Sequence, residues 1–322
     1  MRKGIVLLLV VLAVAAAYWG FHKRPKRSVD PDKPTHIYIA DTDNNRIVRI
    51  DDMTGKGWKS LGMLASTDIN HFDRPHGIYV DEDDHIYVAD TGNCRIVRMD
   101  DIAGLNWELF GRRGDGASQF NQPMAVFIDG SDHLHVADRN NDRIVATDDM
   151  TGTHWTELGK QGAGLFQFSF PSGIFVDPSE HIYVADTMNL PANIVSNRIV
   201  RMDDMYGLNW VVYKGPFANP AALYVDHANH IYVVDSLNDR ISRMDDMNGK
   251  NLTFLGRPGG GAGQFNQPTG LFVDEEGRIY VADTGNDRIV RVDDMSGKGW
   301  IAFGSSGRGV HQFGAPGGVF MR

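Results

Sequence analysis

His85-Ile86-Tyr87-Val88-Ala89-Asp90, followed by Thr91-Gly92-Asn93-Cys94 and then Arg95-Ile96-Val97-Arg98, is the stretch on which the fold turns. It returns all along the chain. Its first position is His36, His85, His133, His181, His230 and Arg278, at intervals of 49, 48, 48, 49 and 48 residues. A fixed period of this size marks a repeat architecture, each copy being one supersecondary unit. A second string, Pro-x-(Gly/Ala) followed by three apolar residues, starts at Pro75, Pro123, Pro171, Pro220, Pro268 and Pro316. A third starts at Arg46, Arg95, Arg143, Arg198, Arg240 and Arg288. It leads into a pair of Asp, a turn that usually holds Gly, and then Trp58, Trp107, Trp155, Trp210, Leu252 or Trp300.

Each copy holds four short β-patterned stretches, rich in Val, Ile, Tyr and Trp and separated by Asp, Asn and Gly. Six copies of four strands read as an all-β fold, a six-bladed β-propeller with four-stranded blades. The first copy opens at its second strand, and the chain ends on a lone first strand from Pro316. The C-terminal strand is expected to complete the blade begun at residue 36, closing the ring and removing open sheet edges. A length of 322 residues would suit about two ordinary domains. The repeat divides it instead into a signal or membrane anchor with a basic flank (1–28), a linker (29–35) and one ring (36–322).

Residues 4–21 are uncharged and mostly aliphatic, the short end of what crosses a bilayer. Arg2 and Lys3 precede them and Lys23-Arg24-Pro25-Lys26-Arg27 follows. The expectation is a membrane-anchored ring facing away from the cytoplasm, periplasmic or at the cell surface; cleavage and secretion is the alternative. The single cysteine, Cys94, excludes an intrachain disulfide and a Cys-based zinc site. The net charge of -9 becomes more acidic once the basic N-terminus is set aside, so no nucleic-acid partner is expected. Arg112, Arg113, Arg139 and Lys160 could form only a small basic patch on such a ring.

The motif at 87–97 and 280–290, Tyr-Val-Ala-Asp-Thr-Gly-Asn-x-Arg-Ile-Val, closely resembles the NHL repeat, as does Gly-Gln-Phe-Asn-Gln-Pro at 263–268. The resemblance implies a six-bladed ring and leaves function open, because such propellers include lyases, RNA-binding modules, sensor domains and scaffolds. The lyase that finishes peptide α-amidation has a similar blade plan, with zinc histidines after the blade Pro and just before the third strand. Here the first kind of position holds His76, Met124, Ser172, Ala221, Thr269 and Gly317. The second holds Asn45, Cys94, Asp142, Asn197, Asp239 and Asp287. A three-His zinc site has no counterpart. The lyase's calcium Asp maps to Gly77, Ala125, Gly173, Ala222, Gly270 and Gly318.

The pairs Asp41 and Arg46, Asp90 and Arg95, Asp138 and Arg143, Asp186 and Arg198, Asp235 and Arg240, and Asp283 and Arg288 recur in every blade. They are expected to be architectural, meeting across the hairpin in bidentate contacts. The Asp pairs after the third strand fit turns better than calcium loops, leaving at most a weak calcium site; no other cofactor is expected. The strand-end His residues lie one per blade and cannot share a metal. Cys94 has no His placed to activate it. Positions that break the repeat are more informative. His76, Met124 and Arg139 are chemically distinct among their counterparts. The hairpin after Asp186 carries an insertion over 188–196, with Asn189, Pro191 and Asn193, and the lead-in bearing Phe217 is short. These residues are expected to form one partner-binding face.

The composite reading is a non-catalytic scaffold, a monomeric ring presenting that face to a protein, peptide or glycan. The rival is a metal-dependent hydrolase or lyase with its site at the channel mouth, which requires at least three convergent ligands.

Overall fold

The computed structural model describes residues 35–62, 71–187 and 197–322. The proposed anchor at 1–28 and all but residue 35 of the proposed linker at 29–35 lie outside these residues. So do Asn189, Pro191 and Asn193. Among the described residues no helix is long and apolar enough to cross a membrane.

Six four-stranded antiparallel sheets follow one another around a central channel. In the blade that contains Cys94 the strands run Pro75–Val80, Ile86–Asp90, Arg95–Met99 and Glu108–Phe110, each pairing with the next. The ring closes as the terminal repeat implies. The last strand, Pro316–Met321, pairs with Ile37–Asp41 in the register Ile37 to Met321 and Ala40 to Gly318. His36 and Arg322 extend the ladder with two further backbone hydrogen bonds. The fourth strand is shorter than the pattern suggests: it begins at Glu108, and Trp107 instead packs on Phe72, ring centres 4.9 Å apart.

The hydrophobic core is divided among the six seams between blades. One cluster joins Tyr38, Ala40 and Ile47 of one blade to Ile78, Val88 and Val97 of the next. Second strands such as Ile86–Asp90 are buried along their whole length because both faces are covered by neighbouring blades.

The Asp that ends each second strand is wholly buried: Asp41, Asp90, Asp138, Asp186, Asp235 and Asp283. Burying a carboxylate is costly unless it is paired and hydrogen-bonded. One oxygen of each lies 2.7–2.8 Å from the Nε of its expected Arg partner. The other accepts a backbone N–H from the loop leading into the blade. The expected bidentate contact is thus replaced by a single Nε contact. The Nη atoms are spent on carbonyls of the same loop, as when Arg198 donates to Ala163 and Gln167. The Arg therefore ties three segments of its blade together.

A second repeated tie runs between blades. The residue before each third strand accepts the backbone N–H of the residue before the next blade's Pro. Asn45 takes that of Arg74, Asp142 of Phe170, Asn197 of Asn219, Asp239 of Gln267 and Asp287 of Ala315, at 2.6–3.2 Å. In the remaining blade the acceptor is the Cys94 thiol, at 3.5 Å from the Gln122 nitrogen. Cys94 is buried at φ +54°, left-handed backbone that suits Asn far better than Cys.

Two stability outcomes follow from these ties. Cys94→Asn should raise stability by about 1 kcal/mol, a typical net hydrogen bond, measured by denaturant unfolding. Asp90→Ala strands Arg95 and should cost about 3–5 kcal/mol; a loss under 1 kcal/mol would show that the pair does not hold the blade.

Candidate functional site

The six first strands line the channel. Two residues after each blade Pro, Gly or Ala lets neighbouring strands touch. A Cβ on Gly77 would stand 2.7 Å from the Met124 carbonyl oxygen and 2.8 Å from the Ala125 Cα. An Asp at that place has no room, which gives the physical reason why the lyase's calcium position is not reproduced.

At the far end of the channel the same strands carry Tyr79, Phe127, Phe175, Tyr224, Phe272 and Phe320. Their rings touch in an unbroken circle, with centres 4.8–5.2 Å apart. Such tilted, offset contacts are favourable beyond the area they bury. Burial pushes the Tyr79 and Tyr224 phenols above their usual range, and Asp81 and Asp226 add to the effect. This aromatic floor was legible in the sequence as the fifth residue of the Pro-x-(Gly/Ala) string. Above it the channel offers about 90 Å³ to water, room for about six to nine water molecules at roughly 10–15 Å³ each.

The mouth is lined by His76, Met124, Ser172, Ala221, Thr269 and Gly317. The hairpin turns close its rim. The hydroxyls of Thr42, Thr91, Thr187 and Thr284 each donate to the carbonyl of the next blade's Pro, at 2.6–2.9 Å. Ser172 and Thr269 extend this belt by bonding Thr187 and Thr284. Arg139 stands where those threonines stand and has no hydroxyl. Its guanidinium lies over the Phe170 ring, 5.5 Å from the centroid. Its Nε is buried with no hydrogen-bond partner, and desolvation lowers its pKa.

His76 is half-buried and fills the space above Gly317, whose Cβ would come within 2.9 Å of the imidazole. Burial, together with Arg139 and Arg74, lowers its pKa to about 4, against a smaller opposing effect from the Met124 backbone. His76 and Met124 line adjacent places in the mouth, and Arg139 and Arg74 lie near enough to act on the His76 charge; Arg74, and Phe170 against Arg139, are two neighbours the sequence reading missed. Both lie before a blade Pro at positive φ, a position whose side chain the repeat leaves open.

Phe217 does not join them. It is 7% exposed and packs with Tyr213, Leu223 and Val233 between two blades. The reason is the repeat itself: Phe72, Phe120, Phe168, Phe217, Phe265 and Phe313 all stand three residues before the blade Pro, and the other five are fully buried. The short lead-in disguised a core position as a rim residue.

On the opposite face the repeated histidines are held by carboxylates. His85, His133, His181 and His230 each place Nδ1 2.8–3.0 Å from an Asp four residues earlier, and Arg278 does the same with Asp274. The second Asp of each pair after the third strand accepts backbone N–H groups of its own turn, as Asp101 does from Ala103 and Leu105. Among the described residues no group of three or more His, Cys, Asp or Glu side chains is placed to hold a metal ion.

Closed blades around a narrow channel define a β-propeller with its variable chemistry at one mouth. A family model for the NHL repeat matches residues 72–99 and 265–291. No curated protein matches the sequence. Among solved structures, a chain of a nidogen/laminin complex is similar with a TM-score of 0.66 and 17% identity, over 89% of this chain and 98% of that one. A protein of unknown function from Bacteroides caccae has a TM-score of 0.61 and 14% identity, over 90% and 99%. A catalytically inactive virginiamycin B lyase from Staphylococcus aureus with quinupristin has 0.52 and 16%, over 77% and 78%. At these identities the likeness shows the fold. The chain is a six-bladed β-propeller carrying NHL repeats.

The His76 shift has a definite sign. The unfolded imidazole takes up a proton near pH 6.5, the folded one near 4. Its contribution to stability is therefore full above pH 6.5, falls as pH drops through that window, and is gone below about 4. Denaturant unfolding of wild type against His76→Gln should show this difference only in that window; a flat difference from pH 7 to 4 would contradict the buried setting of the ring.

Proposed function

We propose that this protein is a binding propeller without catalytic chemistry of its own, whose channel-mouth face receives a protein, peptide or glycan partner. One observation carries the reading. At Arg139 the ring gives up a hydroxyl that the other five blades keep, four of them using it to bond the next blade. A half-buried guanidinium whose Nε has no hydrogen-bond partner among the described residues costs the fold stability, and its contact across the seam is with the Phe170 ring in place of a hydrogen bond. His76 and Met124 stand beside it, at a position where the repeat equally allows Ala or Gly. A rigid scaffold with variable groups on its loops is the usual construction of a binding surface. The similar chain of the nidogen/laminin complex sits in a protein assembly, which accords with a binding role. We further propose that residues 4–21 hold the ring at a membrane, on its outer side, or are cleaved to release it. The support is their apolar run, and a C-terminal reporter active only in the cytoplasm would overturn it.

Arg139→Thr separates structure from function. The new hydroxyl should reach the Pro171 carbonyl and raise stability by about 0.5–1.5 kcal/mol. Partners cross-linked to the wild-type chain in its native membrane should be lost from the Arg139→Thr and His76→Ala double variant. Unchanged capture by a folded double variant would remove the mouth as the binding surface.

A further inference from the structure

We propose that the channel mouth is a receptor for a carboxylate group, held by the Arg139 guanidinium with the His76 imidazole beside it. The proposal rests on the binding reading above and names the chemistry of the group received. Its first support is charge. The chain is acidic overall, and every blade has a buried Asp with an Arg committed to it. At the mouth the pattern reverses: the charges acting on His76 are those of Arg139 and Arg74, with no opposing carboxylate among the described residues.

The second support is the state of Arg139. Each blade Arg, such as Arg143, spends its donors on a carboxylate and on loop carbonyls. Arg139 spends none on the described residues, and its Nε is buried without a partner. The guanidinium carbon lies 5.5 Å from the centre of the Phe170 ring, an aromatic contact that uses none of its N–H donors. A planar fork of N–H donors held in this way matches the two oxygens of a carboxylate.

The third support is shape. Away from His76 the mouth is lined by Ala221 and Thr269, small groups that give clearance to an entering chain. The channel below is too narrow for a whole ligand, so the group received is the tip of something larger that leads back out over the face. Arg139 is the half-buried cation here and Arg74 is exposed; a single planar fork beside the imidazole suits a carboxylate, whereas phosphate dianion sites gather several buried cations or backbone N–H groups.

The full chain is titrated with acetate, with acetyl-Gly-Glu-Gly-amide, with acetyl-Gly-Gly-Gly bearing a free C-terminus, with acetyl-Gly-Gln-Gly-amide and with inorganic phosphate. The readouts are the Arg139 Nε–H resonance, assigned by its loss in Arg139→Lys, and saturation transfer to the ligand. The expected result is a saturable shift with the carboxylates and none with the Gln peptide. Saturation transfer should weaken by about tenfold or more in Arg139→Gln, as for a central Arg anchor. The relative response of the two acidic peptides tells a side-chain source from a terminal one. No saturable carboxylate shift, a response to phosphate alone, or equal transfer in Arg139→Gln would overturn the proposal. If carboxylates fail while the double variant still loses its partners, the binding face stands and its carboxylate chemistry falls. If carboxylates bind while capture is unchanged, the receptor stands and the partner surface lies elsewhere.

Discussion

Everything on the loop-bearing face depends on six carboxylates that have no contact with water. A buried Asp at the end of each second strand must be matched by donors, and the backbone is arranged to supply them. One oxygen takes the Arg that opens the third strand, which fixes the hairpin. The other takes an N–H of the lead-in loop, which fixes the approach to the first strand. Desolvation still wins in several blades: the pKa values of Asp41, Asp90, Asp138 and Asp283 are raised, and that of Asp186 reaches about 7. These pairs make a weak source of net stability and a strong source of geometric definition.

With each blade fixed internally, the seams need only short ties to make a rigid ring. The acceptor before the third strand and the hydroxyl that opens the hairpin loop each reach one blade onward, at opposite ends of the same loop. The aromatic circle closes the other end of the channel, where six rings each touch two neighbours. The channel is thus a packed axle with a small wet mouth. The scaffold leaves its outer loop surface, and the first side chain inside the mouth, as places where chemistry can vary.

The fold was legible because the period, the strand pattern and the Asp–Arg spacing agreed with one another. Ring closure followed from a first copy that lacks a first strand and a last copy that is nothing else. The site was legible only where a position broke the repeat: His76 and Arg139 stood out against five counterparts each. Phe217 was misread because its neighbours changed while its own role did not; alignment on the blade Pro would have returned it to the row of buried Phe residues. Phe170 and Arg74 were missed because they precede Pro at a position that holds five different residue types in six blades, and variation alone does not distinguish a contact from drift. The bidentate Asp–Arg contact failed for a geometric reason: the guanidinium faces loop carbonyls that the sequence does not bring into view.

Cys94 and Arg139 show how departures from the repeat are to be weighed. Cys94 keeps the role of its counterparts with a poorer acceptor, so its departure weakens a tie without creating a new group at the surface. Arg139 drops the role altogether and puts a charge where the fold had a hydroxyl. The first needs no function to explain it, since a buried thiol in a tight turn is a tolerable substitute. The second loses a seam hydrogen bond and adds an unpaired buried donor, two unfavourable changes offset only in part by the contact with Phe170. A position that is less favourable for the ring, near a second unusual group at the channel mouth, is where the proposed carboxylate would supply the missing free energy.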